Sequence, residues 1–339
     1  MASNFFSIEF DERYIKIIDI STNNNFYQLN YIGKIDVSGD FYSSDLEKTI
    51  ENQAKLIRNF ITNLNINKKN VVISIPSYYT YHQIFEMPLL KEKELISAIK
   101  YQADQFIPTP LNETNIDLEI IKEDIKNKKL LILVAAAPKK IIEKIQSTIE
   151  LSGLIPIAIE TQISSTARLF TNIYDKKKIL GTNNFLMINF NYYSSSFISF
   201  SNQDQLIINK IHNTAIGYNL FFKELLTNTS LDEVKIYDFL KNYQPNNKST
   251  INLEEIFQPL VNEFVNEINR FINDNNYKNI FIINEIVNFP IFINLLSKKT
   301  PNLNLQVLSP QFLFQKNSLL ETVNHELPLY FSTIGTDLR

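Results

Sequence analysis

The chain contains no cysteine and only six glycines in 339 residues. The absence of cysteine excludes disulfide bonds, zinc sites with thiolate ligands, iron–sulfur clusters and cysteine nucleophiles. Glycine is scarce compared with the usual share of about 7%. Because backbone loops that cradle phosphate normally contain glycine, this shortage argues against an intact phosphate-binding loop.

Long apolar runs and a strong charge of one sign are also missing. No stretch approaches 18 consecutive apolar residues, and the first residues do not combine a basic segment with an apolar one. We therefore predict no membrane span and no signal peptide. The net charge is -3, so a nucleic-acid partner is not expected. With 44% hydrophobic and 20% charged residues, the composition is that of a globular protein.

Hydrophobic spacing divides the chain into two halves with a similar order of elements. Each half is predicted to open with three strands, at residues 5–10, 13–20 and about 25–35, and at residues 185–190, 195–200 and 205–209. Helices and single strands follow in both halves. The pattern predicts an α/β protein in which the second half repeats the architecture of the first.

The segment 78–158 has the pattern of a compact α+β unit inside the first half. Its predicted elements are a strand at 81–87, a helix at 92–105, a hairpin of strands 115–122 and 129–136, and a helix from Pro138 to about Leu151. Gly153 is suited to end the last of these helices.

Three short motifs resemble those of one known family. They are AIKYQADQFIPTP at residues 98–110 with Asp117 after it, GLIPIAIE at residues 153–160 with Arg168 after it, and IGTDLR at residues 334–339. In order and spacing these motifs are similar to those of the PilM family of type IV pilus assembly proteins. The resemblance extends over nearly the whole chain.

The resemblance implies an actin-like (ribonuclease H-like) fold of two lobes, with a small α+β subdomain inserted in the first lobe. We expect the first lobe to comprise residues 1–77 and 159–179, the inserted subdomain residues 78–158, and the second lobe residues 180–339. A return of residues 326–339 to the first lobe is left open.

The resemblance also implies a scaffold rather than an enzyme. Members of the family resemble cytoplasmic adaptors that bind the cytoplasmic tail of PilN, an inner-membrane protein, in a groove beside the inserted subdomain. Through PilN they are linked to the alignment complex and the assembly motor, and so to twitching motility. For this chain we expect a position in the cytoplasm, peripheral to the inner membrane through its partners and without direct membrane insertion.

Three loops bind the nucleotide in actin-like proteins. The first two contain an aspartate that orients the metal and a glycine that lets backbone amides approach phosphate, and the third contains glycines near the adenosine. In this chain all the expected glycines are replaced. The corresponding residues are Glu9, Asp11 and Lys16 in the first loop, Asn189, Asn191 and Ser194 in the second, and Asn284, Glu285 and Ile286 in the third.

These replacements weaken the case for a nucleotide. A carboxylate such as Asp11 about 4 Å from a phosphate charge costs on the order of 4 kcal/mol near a protein surface. Asn189 has no carboxylate to hold a metal ion. Two interpretations stay open: weak binding of ATP with magnesium, with Lys16 and Ser194 as donors, or loops that keep only their turn geometry. We favour the second and expect no ATP hydrolysis and no resident metal.

Two other classes of protein remain as alternatives. One is an ATP-hydrolysing enzyme of the sugar-kinase type, which the degenerate loops disfavour. The other is a cell-division scaffold of the FtsA kind, for which an amphipathic basic helix would be expected at the C-terminus. Residues 336–339 show no such helix. The histidines, His82, His212 and His325, have no metal-ligand spacing and are interpreted as structural or surface residues.

A cluster of tyrosines is the candidate for the partner groove. Tyr78, Tyr79 and Tyr81 follow Pro76, where the chain leaves a buried strand and enters the inserted unit. Tyrosine combines apolar area with a hydroxyl group, and it is frequent at peptide anchors. These rings are either anchors for an extended peptide or packing for the hinge between subdomains.

Overall fold

The computed structural model of the chain describes residues 4–23, 26–39, 41–103, 105, 107–177, 184–202, 205–244, 251–272 and 277–339. The strands, in chain order, are β1 Phe5–Phe10, β2 Tyr14–Asn23, β3 Phe26–Asp36, β4 Asn70–Ile75, β5 Tyr81–Pro88, β6 Thr114–Asp124, β7 Lys129–Pro138, β8 Ile155–Thr161, β9 Asn184–Phe190, β10 Ser195–Asn202, β11 Leu206–Thr214, β12 Tyr277–Ile283 and β13 Asn304–Val307. The α-helices are α1 Glu47–Asn63, α2 Glu92–Ala103, α3 Lys139–Leu151, α4 Gln162–Lys177, α5 Asn219–Asn228, α6 Glu233–Lys241, α7 Leu253–Ile272, α8 Pro290–Lys299, α9 Ser318–Val323 and α10 Phe331–Asp337.

Two five-stranded sheets share one topology. The first has the order β3-β2-β1-β4-β8 and the second the order β11-β10-β9-β12-β13. In each sheet, the first three strands form an antiparallel meander. Two further strands extend the sheet on the free side of the first strand and run parallel to it. β1 and β9 lie in the centre of their sheets and are buried along almost their whole length. The repeated meander predicted from hydrophobic spacing is confirmed.

The inserted segment forms a third, three-stranded sheet of order β5-β7-β6. Helix α2 covers it, and the small core between them contains Met87, Leu95, Ile99, Leu130, Ile132 and Val134. The end predicted for this helix, at residues 104 and 105, falls partly outside the described residues. The α+β unit therefore has its own sheet and its own core.

The C-terminal part of the segment 78–158 packs on the first sheet instead of the third. Ile145 and Ile149 of α3 belong to the core under the first sheet, and β8 pairs in parallel with β4. The pairing of residues 155–158 within the first sheet contradicts their assignment to the inserted unit, because β8 is the strand that completes that sheet. The other lobe boundaries stay a prediction, and the border near residues 178–183 lies outside the described chain.

The two large sheets face each other across a shared apolar core. Helices α4 and α10 lie in this core, with Phe170 and Ile334 buried among side chains of both sheets. α10 approaches α4 so closely that a Cβ atom on Gly335 would lie 1.9 Å from the backbone oxygen of Ser165. Only glycine fits there. Asp337, at the end of α10, accepts hydrogen bonds from Ser7 Oγ and the Ile20 amide, both at 3.0 Å.

None of the helices in the described ranges has the length and apolarity needed to cross a membrane.

Candidate functional site

Three turns meet at the cleft between the two large sheets. They follow β1 and β9, the central strands of the two sheets, and β12, the neighbour of β9, and hydrogen bonds join the three turns. Asn284, after β12, has a φ of 77° and a ψ of -168°, a backbone conformation that is essentially restricted to glycine elsewhere. All eight polar side chains predicted for the degenerate loops are buried, as is Ile286. They are brought together by the fold, and their role stays a proposal.

Lys16 occupies the centre of the cleft and is fully buried. Its ammonium group lies 2.6 Å from Asp11 Oδ2, 2.8 Å from Asn284 Oδ1 and 3.4 Å from Glu9 Oε1. Burial alone would lower the pKa of Lys16, but the two carboxylates outweigh it and raise that pKa. The lysine is therefore charged and already engaged by groups of the protein itself.

Glu9 links the first strand to two helices in the shared core. Its carboxylate accepts a hydrogen bond from Gln162 Nε2 at 2.6 Å, one from Ser332 Oγ at 2.5 Å and one from Thr333 Oγ1. Gln162 in turn accepts from Asn191 Nδ2 at 3.1 Å. The sequence did not indicate Gln162, Ser332 or Thr333, because they lie on α4 and α10, far from the loops in sequence.

Glu12 bridges the two halves of the molecule. Its carboxylate accepts hydrogen bonds from Ser194 Oγ, at 2.6 Å, and from the amide of Tyr193 on the second loop. Burial, helped by the neighbouring charge of Asp11, raises the pKa of Glu12 to about 8. Glu12 was missed in the sequence because its position is one residue beyond the loop motif. The available signal in the sequence was a second acidic residue, directly after Asp11, on the turn between two predicted strands.

In the third loop, the carboxylate of Glu285 is likewise bonded to other side chains of the protein. Its carboxylate lies 2.8 and 2.9 Å from Lys34 Nζ, and it also accepts hydrogen bonds from Tyr237 OH and from Asn288 Nδ2 at 3.1 Å. Asn284 completes the network by donating to Asn189 Oδ1 at 3.0 Å and to Asn191. The eight polar side chains predicted for the three loops therefore all have protein partners.

These contacts can be tested against a bound nucleotide. A triphosphate needs free cationic or amide donors, yet Lys16 and Ser194 are paired with carboxylates. Glu9, Asp11 and Glu285 are buried acidic side chains near the same loops, and their carboxylates would repel phosphate charges. The residues present do not fit the phosphate part of ATP. Among the described residues, no three metal-ligating side chains are grouped so that they could hold a metal ion.

The three tyrosines predicted for the partner groove lie in two different places. Tyr78 and Tyr79 line a cavity at the mouth of the cleft, beside Glu12 and Tyr193. Tyr81 is half-buried on β5 and packs beside Ala103, Ile107 and Ala136. The short 3-10 turn after β4, Ser77–Tyr79, directs the first two rings towards the second loop. None of the three tyrosines is among the residues that line the cavity between the inserted sheet and the first sheet, and their role as partner anchors stays a prediction.

The structure has a groove between the inserted sheet and the first sheet, and residues other than these tyrosines form its walls. A cavity of about 510 Å³ lies between β6 and β7 of the inserted sheet, β8 of the first sheet and α4. β6 and β8 are edge strands of their sheets. Its lining includes Ile75, Asp117, Ala135, Ile159 and Arg339.

Arg168 fixes one end of the groove. Its guanidinium donates to both oxygens of Glu160, at 2.8 and 2.6 Å, and to the backbone oxygen of Gly335 at 2.7 Å. A second cavity of about 450 Å³ continues on the other side of the same Arg168 and Glu119, towards β11. Asp117 after the first sequence motif, Glu160 and Arg168 of the second and Arg339 of the third thus meet at one place, although they lie far apart in the sequence.

Two lobes of equal sheet topology, facing each other over loops that follow equivalent strands, define an actin-like protein. Known structures share this fold. Over 100% of this chain and 99% of the other, with 15% identity and a TM-score of 0.85, the chain is similar to the protein in a structure described as the PilM-PilN type IV pilus biogenesis complex. It is also similar to the ethanolamine utilization protein EutJ from Carboxydothermus hydrogenoformans, with 9% identity, a TM-score of 0.56, and 98% and 88% of the two chains covered.

The family follows from the sequence itself. The model of the family described as type IV pilus assembly protein PilM matches residues 7–273. The chain belongs to this family, as its motifs predicted. It is a type IV pilus assembly protein with an actin-like fold.

Proposed function

We propose that this protein is an adaptor that binds the cytoplasmic tail of a PilN-like inner-membrane protein in the groove between the inserted sheet and the first sheet. The observation that supports this most is the difference in accessibility between the two candidate sites. The cleft is filled by the protein's own side chains, whereas the groove is open and about 510 Å³ in volume. The similar protein in the PilM-PilN structure is solved as a complex with PilN.

The walls of the groove suit an extended peptide. β6 and β8 each have one edge without a neighbouring strand in their sheets, and an extended segment can pair with such an edge. Both apolar and polar side chains line the groove. Ile75, Ile142 and Ile159 offer apolar contacts, and Asp117, Glu119 and Arg339 offer polar ones. Backbone pairing would supply affinity, and the side-chain pockets would supply selectivity.

The proposal also assigns a location and a place in the assembly. With a partner anchored in the inner membrane, the chain lies on the cytoplasmic face of that membrane without entering it. The alignment complex and the assembly motor are then reached only through the partner. Twitching motility would depend on this adaptor through the same chain of contacts.

The experiment is calorimetry with the cytoplasmic tail of the cognate PilN-like protein. Ala135 is half-buried on β7 and lines the groove, so Ala135→Phe adds a ring inside it without creating a cavity. We expect affinity for the tail to fall at least about tenfold, which corresponds to about 1.4 kcal/mol. Ala98→Phe is the matched control, because Ala98 lies on α2 and packs beside the core on the opposite side of the inserted sheet.

Two results would contradict this assignment. One is tail binding that Ala135→Phe leaves at the wild-type affinity while melting is unchanged. The other is the absence of tail binding to the wild-type protein. Tail binding lost equally in both variants would indicate damage to the inserted unit, and melting curves of both variants identify that case.

We further propose that the protein does not hydrolyse ATP. Asn189 cannot act as a metal-ligating carboxylate, and Lys16 is held by Asp11 and Glu9. Phosphate-release assays with magnesium and ATP should show no turnover. Steady turnover that disappears in a folded Lys16→Ala variant would show that the alternative, an ATP-hydrolysing actin-like protein, is correct.

A further inference from the structure

The cavity at the mouth of the cleft has a volume of about 470 Å³ and an unusual lining. Five tyrosines contribute to it, from turns that follow strands of both large sheets: Tyr42, Tyr78, Tyr79, Tyr192 and Tyr193. We call these five residues the tyrosine arc. The lining also contains three acidic residues, Glu12, Asp36 and Glu233, and one basic residue, Arg13. The cavity is therefore aromatic and acidic.

The rings of the tyrosine arc touch one another in a continuous series. Tyr42 stacks on Tyr79 with centroids 4.6 Å apart, and Tyr78 meets Tyr79 edge-on at 5.0 Å. Tyr78 then contacts Tyr193 at 5.9 Å, and Tyr193 contacts Tyr192 at 4.7 Å. Contacts with neighbouring rings hold the faces in fixed positions, which is the arrangement that recognises a cation by its attraction to aromatic faces.

The charges of the cavity also favour a cation. Arg13 is paired with Glu233 at 3.1 Å, and its guanidinium carbon lies 5.1 Å from the centre of the Tyr192 ring. Arg13 therefore compensates the charge of Glu233. It does not pair with the other two carboxyl groups of the lining, Glu12 and Asp36. With a pKa of about 8, Glu12 is mostly protonated at neutral pH, because burial and the charge of Asp11 disfavour its ionised form; a bound ammonium ion would favour that form. An anion in the cavity would face these carboxyl groups, whereas a cation would complement them.

We propose that the tyrosine arc and its carboxyl groups form a binding site for an organic ammonium ion. Such an ion would have an alkyl stem that packs along the rings and a charged head near Glu12 and Asp36. Two sources supply this chemistry: the side chain of a lysine on a protein partner, or a free diamine. The site is thus the opposite of a phosphate site, and it lies at the mouth of the cleft where the fold family would admit a nucleotide.

The experiment titrates the protein with four probes by calorimetry. These are N-acetyl-lysine methylamide for a partner's lysine, cadaverine for a free diamine, N-acetyl-norleucine methylamide as the neutral isostere, and a magnesium complex of a non-hydrolysable ATP analogue as the anion. We expect at least one ammonium probe to bind about tenfold more tightly than the neutral isostere. The ammonium probe with the higher affinity identifies the source, and either preference supports the proposal.

Variants locate the binding. Tyr78 is 48% exposed and Asp36 is exposed, so Tyr78→Ala and Asp36→Asn should fold normally. Each should weaken the ammonium probe at least about threefold, whereas Tyr101→Ala, at an exposed tyrosine on α2, should leave it unchanged. Equal affinity for the neutral isostere, stronger binding of the nucleotide analogue, or unchanged affinity in Tyr78→Ala would overturn the proposal.

Discussion

The cleft between the lobes and the groove beside the inserted sheet are built from similar residue types but in opposite ways. In the cleft, lysine, glutamate and asparagine side chains are buried and bonded to each other. In the groove, Asp117 and Glu119 are exposed, and Arg339 is half-exposed. Polar side chains that satisfy one another are not available to a ligand, whereas polar side chains at an open edge are.

The comparison shows how an actin-like protein can keep the geometry of a nucleotide cleft and lose the site. The turns are retained because they follow interior strands of the two sheets, namely β1, β9 and β12. The glycines are replaced by side chains that reach across the cleft, and Glu12 takes the donors of the second loop with its own carboxylate. The cleft then joins the lobes, and binding of a partner is left to another surface.

Lys16→Ala should have the largest effect, because it leaves Glu9 and Asp11 buried with no cation between them. Removing one partner of a buried ion pair costs about 3–5 kcal/mol. We therefore expect a clear loss in the free energy of unfolding, measured with urea, and no specific change in tail binding where the variant is folded. Lys55→Ala, at an exposed position of α1, is the control. An unchanged unfolding midpoint would mean that the cleft does not join the lobes.

Glu12→Gln should alter the pH dependence of stability. The pKa of about 8 in the folded protein lies above the ordinary value of 4.5, so the folded state holds more protons between these pH values. Stability from this group is therefore complete below pH 4.5 and is lost as pH rises towards 8, by up to about 1.4 kcal/mol per pH unit. The glutamine variant should lose less stability over that window.

Melting temperatures between pH 5 and pH 8 measure this effect. The difference between Glu12→Gln and the wild type should shift in favour of the variant as pH rises. Glu51→Gln, at an exposed glutamate of α1, should follow the wild-type curve. Parallel curves for Glu12→Gln and the wild type would show that Glu12 titrates normally.

Arg339→Ala should have the smallest effect, and it should appear only in the groove. Its guanidinium lies 3.7 Å from Glu160 in a partly exposed pair, and such pairs contribute about 0–1 kcal/mol. We expect affinity for the PilN-like tail to fall about two- to fivefold, with no change in melting. Arg270→Ala, which also removes an exposed pair with a glutamate, is the control away from the groove. A large loss of stability in Arg339→Ala would remove the distinction between groove and cleft.

Much of the fold could be predicted from the sequence, because its signals are local. Alternating and continuous apolar strands identified both meanders, and the compact unit after Pro76 was visible from its hairpin and helix. The assignment of residues 155–158 to that unit was wrong, because β8 looks like any short apolar strand. Only its pairing with β4 shows which sheet it completes.

The cleft and the groove were less accessible to sequence reasoning, for different reasons. The loop residues of the cleft followed from the family pattern, but Gln162 and Thr333 reach Glu9 across 153 and 324 positions of sequence. Such contacts leave no local pattern. The tyrosines after Pro76 were recognised as a cluster, yet the direction of their side chains depends on a single 3-10 turn.

The close seating of α10 on α4 has a consequence for how the protein folds during synthesis. Ser7 and Asp337 are hydrogen-bonded across 330 positions of sequence. The first lobe is therefore synthesised first, but its packing is completed only when α10 has been synthesised. At about 5–20 residues per second, roughly 20–70 seconds separate the synthesis of the two residues. During this interval the surfaces of β1, β2 and α4 that α10 later covers are uncovered. The packing of the first lobe is therefore incomplete until residues 331–337 have been synthesised.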